Sequence, residues 1–397
     1  MKKRVAIYLS GVNDITGGGG AERFFADLFE KYSNFVAAQF DLYFFCDQST
    51  YDALRNVNKL RQNKSKIVLL WNVSNRYKKH TENLNFLYQI KKHKIDLLHC
   101  ANFGRHDFNR LDSLNYVPSV KKILNIVDCQ IPHVLNDEKD ERYKAYYERY
   151  IELPEKIKFD GVYTWYKLFI SYIKKNKSYF WNPNMANITS RFADIKKFKP
   201  SIDKKNTIVF ASRMHFQKRP DWFLQAILIL KNENKLLLKN WQFYFIGSGE
   251  MTREMEEFIS MNNLSDMVIT KEEGDLSVIY PTTSCYVSTQ DYENFPSLSM
   301  MEAMACGNAV IARAVGQTSL MVKDGVNGML LKEDSPKGLA MAIKDYISLT
   351  NLQQEQMQKE SLRLIKEVHT PEAFIHQIDN FWENVINEQT INKMREK

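Results

Sequence analysis

The chain has 397 residues, more than one hydrophobic core usually organises, so its length predicts two or three domains. With 44% hydrophobic and 26% charged residues, its composition is that of a globular protein and excludes a disordered or fibrous one. Met1 leads directly into the strand-like run RVAIYL, and no stretch approaches the ~18 to 20 apolar residues of a membrane span, so we expect a cytoplasmic protein.

The formal net charge of +8 is concentrated in one stretch. Residues 55–94 hold eleven Lys or Arg residues against a single acidic residue, Glu82, a local net charge of +10. Such a block indicates an anionic partner, which would be nucleic acid, a phosphate-rich acceptor or a membrane surface. Solvated lysine-rich loops would give the same pattern. No helix-turn-helix, zinc-finger or RNP-like signature accompanies the block, so we do not expect nucleic acid.

The five cysteines are odd in number and widely spaced, and most lie in apolar runs. This pattern predicts buried, reduced thiols rather than disulfides or a zinc cluster. The residues are Cys46, Cys100, Cys129, Cys285 and Cys306.

Strand-like apolar runs alternate with amphipathic stretches along the whole chain, which is typical of βαβ units and predicts parallel sheets covered by helices. The runs before residue 180 are RVAIYL, FDLYFFC, KIVLLW, KIDLLHC, KKILNIV and GVYTW. The runs after residue 206 are TIVFASR, QFYFIGSGE, DMVIT, SCYVSTQ, NAVIARA and GMLLKE. We therefore predict one α/β domain over residues 1–185 and a second over residues 186–370. Thr370-Pro371-Glu372 has the N-cap, first-turn proline and acidic residue of a helix start, so a last helix is expected within residues 371–397.

A run of glycines, Gly17 to Gly20, follows the first predicted strand and opens the helix AERFFADLFEKY. Glycines let backbone amides approach a ligand closely, and a helix N-terminus favours negative charge. Gly19 and Gly20 are therefore candidate phosphate-binding residues. A flexible turn without a ligand is the alternative.

Two cations, Arg213 and Lys218, follow the predicted strand TIVFAS. A forked guanidinium and an ammonium at the carboxyl end of a parallel strand suit a diphosphate. Taken alone, the pair is also compatible with a solvated loop.

The segment 288–312, STQDYENFPSLSMMEAMACGNAVIA, combines a polar loop with a helix start. Its loop contains acidic Glu293 beside Asn294, and its helix carries Glu302. Carboxylates accept hydrogen bonds from vicinal hydroxyls, and amides at a helix start face phosphate, so the segment suits a nucleotide sugar. The remaining candidate binding residues are Phe295, Pro296, Ser297 and Leu298. A solvated or paired Glu302 is the alternative.

Five motifs in this order resemble glycosyltransferase family 4, the retaining group 1 glycosyltransferases of GT-B fold. They are GGGGAER, PNMANITSRF, ASRMHFQKRP, FIGSGE and ENFPSLSMMEAMACGNAVIA. The resemblance is strong over residues 179–345 and thin before them, apart from the glycine run. It implies an α/β protein of two Rossmann-like domains with parallel sheets that face a central cleft.

The resemblance also implies roles for single residues. Arg213 and Lys218 would hold the donor diphosphate, Glu302 the ribose hydroxyls and Glu293 the sugar. Gly19 and Gly20 would close over the phosphates, and the last helix would cross back onto the first domain. No metal or cofactor is expected, and the co-substrate would be a nucleotide-diphosphate sugar, by default a UDP-sugar.

Two departures from the family pattern leave alternatives open. Eight residues rather than the usual seven separate Glu293 from Glu302, so Asn294 is a second candidate for the sugar contact. Many relatives carry His-Asp after the fifth strand, where this chain has Val127-Asp128, with His133 five residues beyond Asp128. Asp128 and His133 are therefore both candidate catalytic residues.

The acceptor would bind the first domain, which carries the basic block 55–94 and an aromatic and basic stretch over residues 139–177. We therefore predict transfer of a sugar to a glycan, a lipid-linked molecule or a phosphate-rich cell-envelope acceptor, as in polysaccharide biosynthesis. The basic block, together with an aromatic surface expected from the stretch 139–177, would place the enzyme on the inner face of an anionic membrane. The alternatives are a non-catalytic partner subunit, a glycan-binding module, or a nucleotide-sugar epimerase or hydrolase of the same fold.

Overall fold

The structure, a computed structural model, describes residues 2–12, 20–72, 78–176, 186–187, 191–272 and 275–395. The chain divides into two compact units. The first consists of Met1–Thr189 with Glu372–Lys397, and the second is Ser190–Pro371. The division lies four residues beyond the predicted boundary at 185, and the last helix belongs to the first unit.

The first unit is built on a parallel sheet whose described strands follow the order β3-β2-β1-β4-β5-β6-β7. The strands are β1 (Arg4–Tyr8), β2 (Asp41–Asp47), β3 (Ile67–Leu70), β4 (Leu97–Cys100), β5 (Lys121–Ile126), β6 (Gly161–Thr164) and β7 (Ala186–Asn187). The helices are α1 (Gly20–Ser33), α2 (Gln48–Asn56), α3 (Lys78–Lys92), α4 (Phe108–Ser113), α5 (Ile131–Asn136), α6 (Tyr143–Tyr147), α7 (Leu153–Ile157) and α8 (Lys167–Asn176).

The second unit repeats this architecture, with described strands in the order β10-β9-β8-β11-β12-β13, all parallel. The strands are β8 (Thr207–Ala211), β9 (Gln242–Ile246), β10 (Val268–Lys271), β11 (Cys285–Ser288), β12 (Ala309–Ala312) and β13 (Gly328–Leu330). The helices are α9 (Pro220–Asn234), α10 (Thr252–Met261), α11 (Leu298–Ala305), α12 (Pro336–Ile347) and α13 (Asn351–Val368). The predicted parallel sheets are confirmed in both units.

Helices cover both faces of the second sheet, which is why its strands are continuous apolar runs. Ile208 and Phe210 of β8 pack into one hydrophobic cluster, whereas Val209 and Ala211 pack into another. Successive side chains of a strand point to opposite faces, so the two clusters lie on opposite sides of the sheet.

The last helix, α14 (Pro371–Arg395), packs into the core of the first unit. Trp382 is fully buried, and its indole N–H donates to Nδ1 of His99 at 3.1 Å. Burial lowers the pKa of His99 to about 3, which keeps the ring neutral. Gly161 of β6 leaves room for the helix, because a Cβ at Gly161 would lie 3.2 Å from Cγ2 of Val385.

Two further features of the fold are the state of the cysteines and the character of the helices. All five cysteines are free, and four of them are buried, Cys129 being partly exposed. In the described part of the chain, no helix has the length and apolar character needed to cross a bilayer.

Candidate functional site

Three loops meet where the strands of the second sheet end. They follow β8, β9 and β11, and β8 lies between the other two strands in the sheet. The chain leaves β8 toward β9 on one side and reaches β11 on the other. This is the kind of strand-order reversal at which open α/β sheets bind ligands.

The loop after β8 presents both predicted cations at this edge. Arg213 is exposed, and its guanidinium has no ion pair or hydrogen bond among the described residues. Lys218 is half-buried, and its ammonium donates to Oε1 of Gln290 in the loop after β11. The hydroxyl of Thr289 donates to the Lys218 carbonyl oxygen at 2.7 Å. Lys218 therefore joins two loops, while Arg213 is turned to solvent.

The loop after β9 lies against the backbone of the loop after β8. The Met214 amide donates to the Ser248 carbonyl and the Met251 amide to the Met214 carbonyl, both at 3.0 Å. Gly247 has a φ of +128°, and a Cβ there would overlap the Ser212 carbonyl oxygen. Glycine is therefore required at this position for the two loops to approach each other.

A depression of about 150 Å³ opens beside these loops, over the edge of β9 and β10. Phe245 and Met214 supply apolar surface, Thr270 supplies a hydroxyl, and Glu256 and Glu272 supply carboxylates. An apolar floor with a few polar groups suits a planar heterocycle. No sequence motif predicts this depression, because its lining comes from four separate segments of the chain.

Glu293, in the loop after β11, is 8% exposed and accepts hydrogen bonds from two backbone amides. Its carboxylate accepts from the Phe295 amide at 2.9 Å and from the Gln317 amide at 2.8 Å. Gly316 has a φ of +53°, and a Cβ there would overlap this carboxylate. Burial raises the pKa of Glu293. Gly316 and Gln317 were not predicted from the sequence. The only signal there is a glycine that follows an apolar strand.

Asn294, the alternative candidate for the sugar contact, is used inside the protein. It is 1% exposed. Its Oδ1 accepts from the Ser288 hydroxyl, and its Nδ2 donates to the Thr318 hydroxyl at 3.1 Å. Both ends of the amide therefore have partners within the protein, and the sugar contact of Asn294 stays a prediction.

The predicted binding segment from Phe295 to Leu298 divides into a structural part and a helix start. Phe295 is 7% exposed within the hydrophobic core, and Pro296, joined to it by a cis peptide bond, has no N–H. The Ser297 amide donates to the Asn294 carbonyl at 2.7 Å, and its hydroxyl caps α11. These contacts give the three residues structural roles, and their predicted donor-binding roles stay predictions. The Leu298 and Ser299 amides at the start of α11 have no partner among the described residues.

Glu302 lies on α11 one turn after Leu298, about 6 Å along the helix and on the same face. It is half-buried. Burial raises the pKa of Tyr286 to about 12, and the neighbouring charge of Glu302 adds to the shift. Ser299 of the same helix donates to the Ala211 carbonyl at 3.1 Å. The helix start and its carboxylate are thus fixed beside the end of β8.

Arg313, after β12, holds the loop that carries Glu293. Its guanidinium donates to both carboxylate oxygens of Asp334, pairs with Asp291 and donates to the Thr289 carbonyl at 3.2 Å. It also lies 4.5 Å from the centroid of the Trp222 ring. No sequence signal distinguished this arginine, because its partners lie on other loops.

In the first unit, Asp128 and His133 have different surroundings. Asp128 accepts from the Gln130 amide at 2.8 Å and from the Tyr146 hydroxyl at 3.0 Å. Burial, followed by the charge of Asp128, raises the pKa of Tyr146 to about 12. His133 lies on α5 and is exposed, although partial burial of the ring lowers its pKa. Asp128 is therefore held in position by these two contacts, while the catalytic roles of Asp128 and His133 stay predictions.

Two predictions remain for the first unit, and they concern the glycine run and the aromatic stretch. Gly19 lies outside the described residues, and Gly20 is the first residue of α1. Within the aromatic stretch 139–177, Trp165 and Phe169 are fully buried and Tyr150 is 3% exposed. The expectation of an aromatic surface is therefore wrong for these three rings, which belong to the core.

Comparison with known proteins bears on the second unit most directly. Residues 192–387 match the family described as "Glycosyl transferases group 1". This segment, just under half of the chain, is similar to the group 1 glycosyltransferases. The match supports the predicted family at that level, while membership of family 4 and the retaining mechanism stay predictions.

The curated relatives are similar over limited parts of both chains. D-inositol 3-phosphate glycosyltransferase of Paenarthrobacter aurescens is 28% identical over 169 residues, which are 38% of this chain and 40% of the relative. An uncharacterized glycosyltransferase of Methanocaldococcus jannaschii is 31% identical over 111 residues, 28% of this chain and 31% of the relative. The chain thus spans well under half the length of these two curated relatives.

Solved structures match almost the entire chain and confirm the GT-B fold. Sucrose-phosphate synthase of Thermosynechococcus elongatus has a TM-score of 0.73 at 17% identity, covering 98% of this chain and 100% of its own. HepE of Anabaena, solved in complex with UDP-glucose, has a TM-score of 0.71 at 14% identity, covering 96% and 99%.

Proposed function

We propose that this protein is a nucleotide-sugar-dependent, retaining glycosyltransferase. The observation that carries the proposal is the convergence, at one edge of the second sheet, of an exposed arginine, a helix start with available amides and a carboxylate one turn along that helix. The residues are Arg213, Leu298, Ser299 and Glu302. Each group matches a different part of a nucleotide-diphosphate sugar.

The diphosphate would bind between Arg213 and the start of α11. The guanidinium is a bidentate donor, and helix amides favour an anion. Lys218 adds a positive charge nearby while it holds Gln290. These donors would also stabilise the charge that develops on the leaving diphosphate, so the proposal needs no metal or cofactor.

The nucleoside would lie on the other side of Arg213. Glu302 offers two oxygen acceptors to the ribose hydroxyls, and the depression beside β9 and β10 offers apolar surface to the base. We propose a UDP-sugar as donor. The HepE structures with UDP and with UDP-glucose support this choice by similarity of fold.

The transferred sugar would contact Glu293. Its carboxylate is fixed by the Phe295 and Gln317 amides, and Arg313 holds the loop on which it lies. A carboxylate fixed in this way is oriented before the sugar arrives, which favours catalysis. Asp128 of the first unit, which accepts from the Tyr146 hydroxyl, stays a predicted catalytic residue.

The acceptor would be a glycan, a lipid-linked molecule or a phosphate-rich cell-envelope polymer. This part of the proposal depends on charge, since residues 55–94 of the first unit carry a local net charge of +10. Anionic acceptors are attracted to such a block by long-range electrostatics. An association with the inner face of an anionic membrane would serve the same purpose.

A thermal-shift panel of nucleotides and nucleotide sugars tests the donor site. UDP at 100 times its dissociation constant should stabilise the second unit by about 2.7 kcal/mol. Arg213→Ala and Glu302→Ala should remove the shift. Arg363→Ala is the matched control, because Arg363 is a surface arginine of α13 whose partners are Glu360 and Glu367.

The outcomes separate the alternatives. Variants that respond to UDP like the wild type would show that the site lies elsewhere. Binding of UDP-sugars without turnover, for any acceptor class tested, would favour a non-catalytic subunit or a glycan-binding module. Formation of product from the UDP-sugar alone would favour an epimerase or a hydrolase.

A further inference from the structure

An apolar and cationic strip runs along one face of α3 in the first unit. Leu84, Tyr88 and Lys92 follow one another at intervals of four residues, so they lie on the same face over about 12 Å. Leu84 is 68% exposed and Tyr88 is 59% exposed. The Lys92 ammonium lies 5.8 Å from the centroid of the Tyr88 ring. The packing of the first unit leaves these two large apolar side chains largely uncovered, so it does not explain why they are apolar.

Trp71 extends the strip from the end of β3, and its backbone is held from both sides. The Trp71 amide donates to Oδ1 of Asn85 on α3 at 3.1 Å, and its carbonyl accepts from the guanidinium of Arg110 at 2.8 Å. Both partners are buried, whereas the Trp71 side chain is 60% exposed. The indole is therefore presented to solvent by a fixed backbone.

The lysines around the strip keep a net positive charge. Four of them are exposed and form no ion pair within the described residues. They are Lys64, Lys91, Lys92 and Lys94. The nearby carboxylates already have partners, since Glu82 lies 3.7 Å from the guanidinium of Arg110 and Asp41 pairs with Lys66. The four exposed lysines thus form a cationic surface, and the two nearby carboxylates are neutralised by other cations of the first unit.

We infer that this face binds the headgroup region of an anionic phospholipid bilayer. The face, named the α3 surface, consists of Trp71, Leu84, Tyr88 and the four lysines. Trp and Tyr favour the level of the headgroups, and lysines are attracted to anionic lipids. A symmetric pairing with a second copy would bring two cationic faces together. The inference deepens the membrane association named in the proposed function by assigning it to these residues, although the α3 surface would bind a bilayer whatever reaction the second unit performs.

Co-sedimentation with vesicles tests the inference on the full chain. The vesicles are phosphatidylcholine with about one-third phosphatidylglycerol, compared with pure phosphatidylcholine, at about 0.1 M and 0.5 M salt. The wild type should bind the anionic vesicles at low salt and lose most of this binding at high salt. Lys91→Gln with Lys92→Gln should weaken the partition about fivefold for each lysine. Replacing Trp71, Leu84 and Tyr88 by serine should weaken it at least tenfold.

Matched controls come from the second unit. Leu236 and Leu352 are 89% and 74% exposed, so their replacement by serine removes comparable apolar surface. Lys235→Gln with Lys239→Gln removes two exposed charges. Both control variants should bind vesicles like the wild type. Thermal unfolding and the UDP response report separately on folding and on the donor site.

Three results would overturn the inference. One is equal binding of the α3-surface variants and the wild type to anionic vesicles. A second is tighter binding of the wild type to a single-stranded oligonucleotide than to the vesicles. A third is a lipid-free dimer of the wild type that the serine variant abolishes. None of these results bears on the UDP response, so a failure of the proposed function would be recognised independently.

Discussion

Each unit has an arginine near the carboxyl ends of its strands, but the surroundings of the two arginines are opposite. In the second unit, Arg213 stands exposed at the carboxyl end of β8 without a partner among the described residues. In the first unit, Arg110 of α4 is 4% exposed and lies 3.7 Å from Glu82. Its guanidinium also lies 3.4 Å from the hydroxyl of Tyr8, which donates to Asp107.

The contrast separates a cation used for stability from one left for a ligand. A buried cation whose anions belong to the fold offers nothing to a substrate without the loss of those contacts. An exposed cation at a strand end contributes little to the stability of the fold, and its N–H donors remain available to an anionic ligand. Substitutions in the two units should therefore have opposite profiles of stability and binding.

Arg110→Met should have the largest effect on stability. It leaves Asp107 and Glu82 without their central cation, and breaking a buried ion pair in this way costs about 3 to 5 kcal/mol. Urea denaturation followed by tryptophan fluorescence measures the change. Arg105→Met is the control, because Arg105 is 75% exposed beside Glu148 and should cost less than about 1 kcal/mol. Equal costs for the two variants would remove the contrast.

Gly316→Ala should have the next largest effect and should separate sugar binding from nucleotide binding. The left-handed backbone at Gly316 costs alanine about 1 kcal/mol, and displacing the Glu293 carboxylate from its amides adds about 1 to 3 kcal/mol. Denaturation measures both parts. The UDP response should persist, while the additional response to a UDP-sugar should fall.

Gly325→Ala is the control for that substitution. Gly325 also has a positive φ, +73°, but a Cβ there would meet nothing within 4 Å. Only the backbone cost of about 1 kcal/mol is expected. If both alanines cost the same, the Glu293 carboxylate is not constrained by Gly316.

Lys204, at the opposite edge of the second sheet, tests whether a buried cation with partners inside the protein contributes to stability. Its ammonium donates to the Thr283 and Cys306 carbonyls at 2.6 and 2.7 Å, and burial lowers its pKa from 10.5 to about 8. The unfolded chain therefore binds more protons than the folded chain between these two pKa values. The contribution of Lys204 makes the free energy of unfolding rise with pH from about 8 to 10.5, by at most about 3 kcal/mol.

Denaturation across that pH window, in the wild type and in Lys204→Met, measures the effect. The variant should lose the rise that Lys204 contributes. Lys205→Met, at the exposed neighbouring position, should keep the wild-type pH dependence. Parallel curves for all three proteins would contradict the assignment.

Arg213→Ala should have the smallest effect on stability and a large effect on binding. An exposed side chain without partners usually changes the free energy of unfolding by no more than about 0.5 kcal/mol. The thermal shift with UDP should nevertheless disappear. A destabilisation as large as that of Arg110→Met would show that Arg213 is structural, and the comparison between the two units would fail.

The sequence predicts the fold well because both sheets are parallel and covered on both faces. Such strands are continuous apolar runs, and all twelve predicted runs correspond to strands β1 to β6 and β8 to β13. The two-residue strand β7 was missed, since Ala186–Asn187 is too short to produce a pattern. The aromatic stretch 139–177 was misinterpreted because composition does not distinguish a buried ring such as Trp165 from an exposed one.

The candidate site was only partly predictable, for a related reason. Arg213 and Lys218 lie in the loop after β8, and Glu302 lies one turn into α11, so their location at the sheet edge follows from the strand pattern. The contacts that orient them join distant segments, as Gln317 does for Glu293, and such pairs have no local signature. The same limit applies to Asn294, whose partners Ser288 and Thr318 lie in other elements.

The position of α14 sets the order in which the two units can be completed during synthesis. The second unit is one continuous segment, Ser190–Pro371, so its entire sequence has been synthesised before α14 is made. The first unit begins the chain but needs Trp382 to cover His99 and Asp379 to accept from Tyr32. The unit whose synthesis begins first is therefore completed last, and a chain truncated at residue 371 would contain the whole second unit but only part of the first.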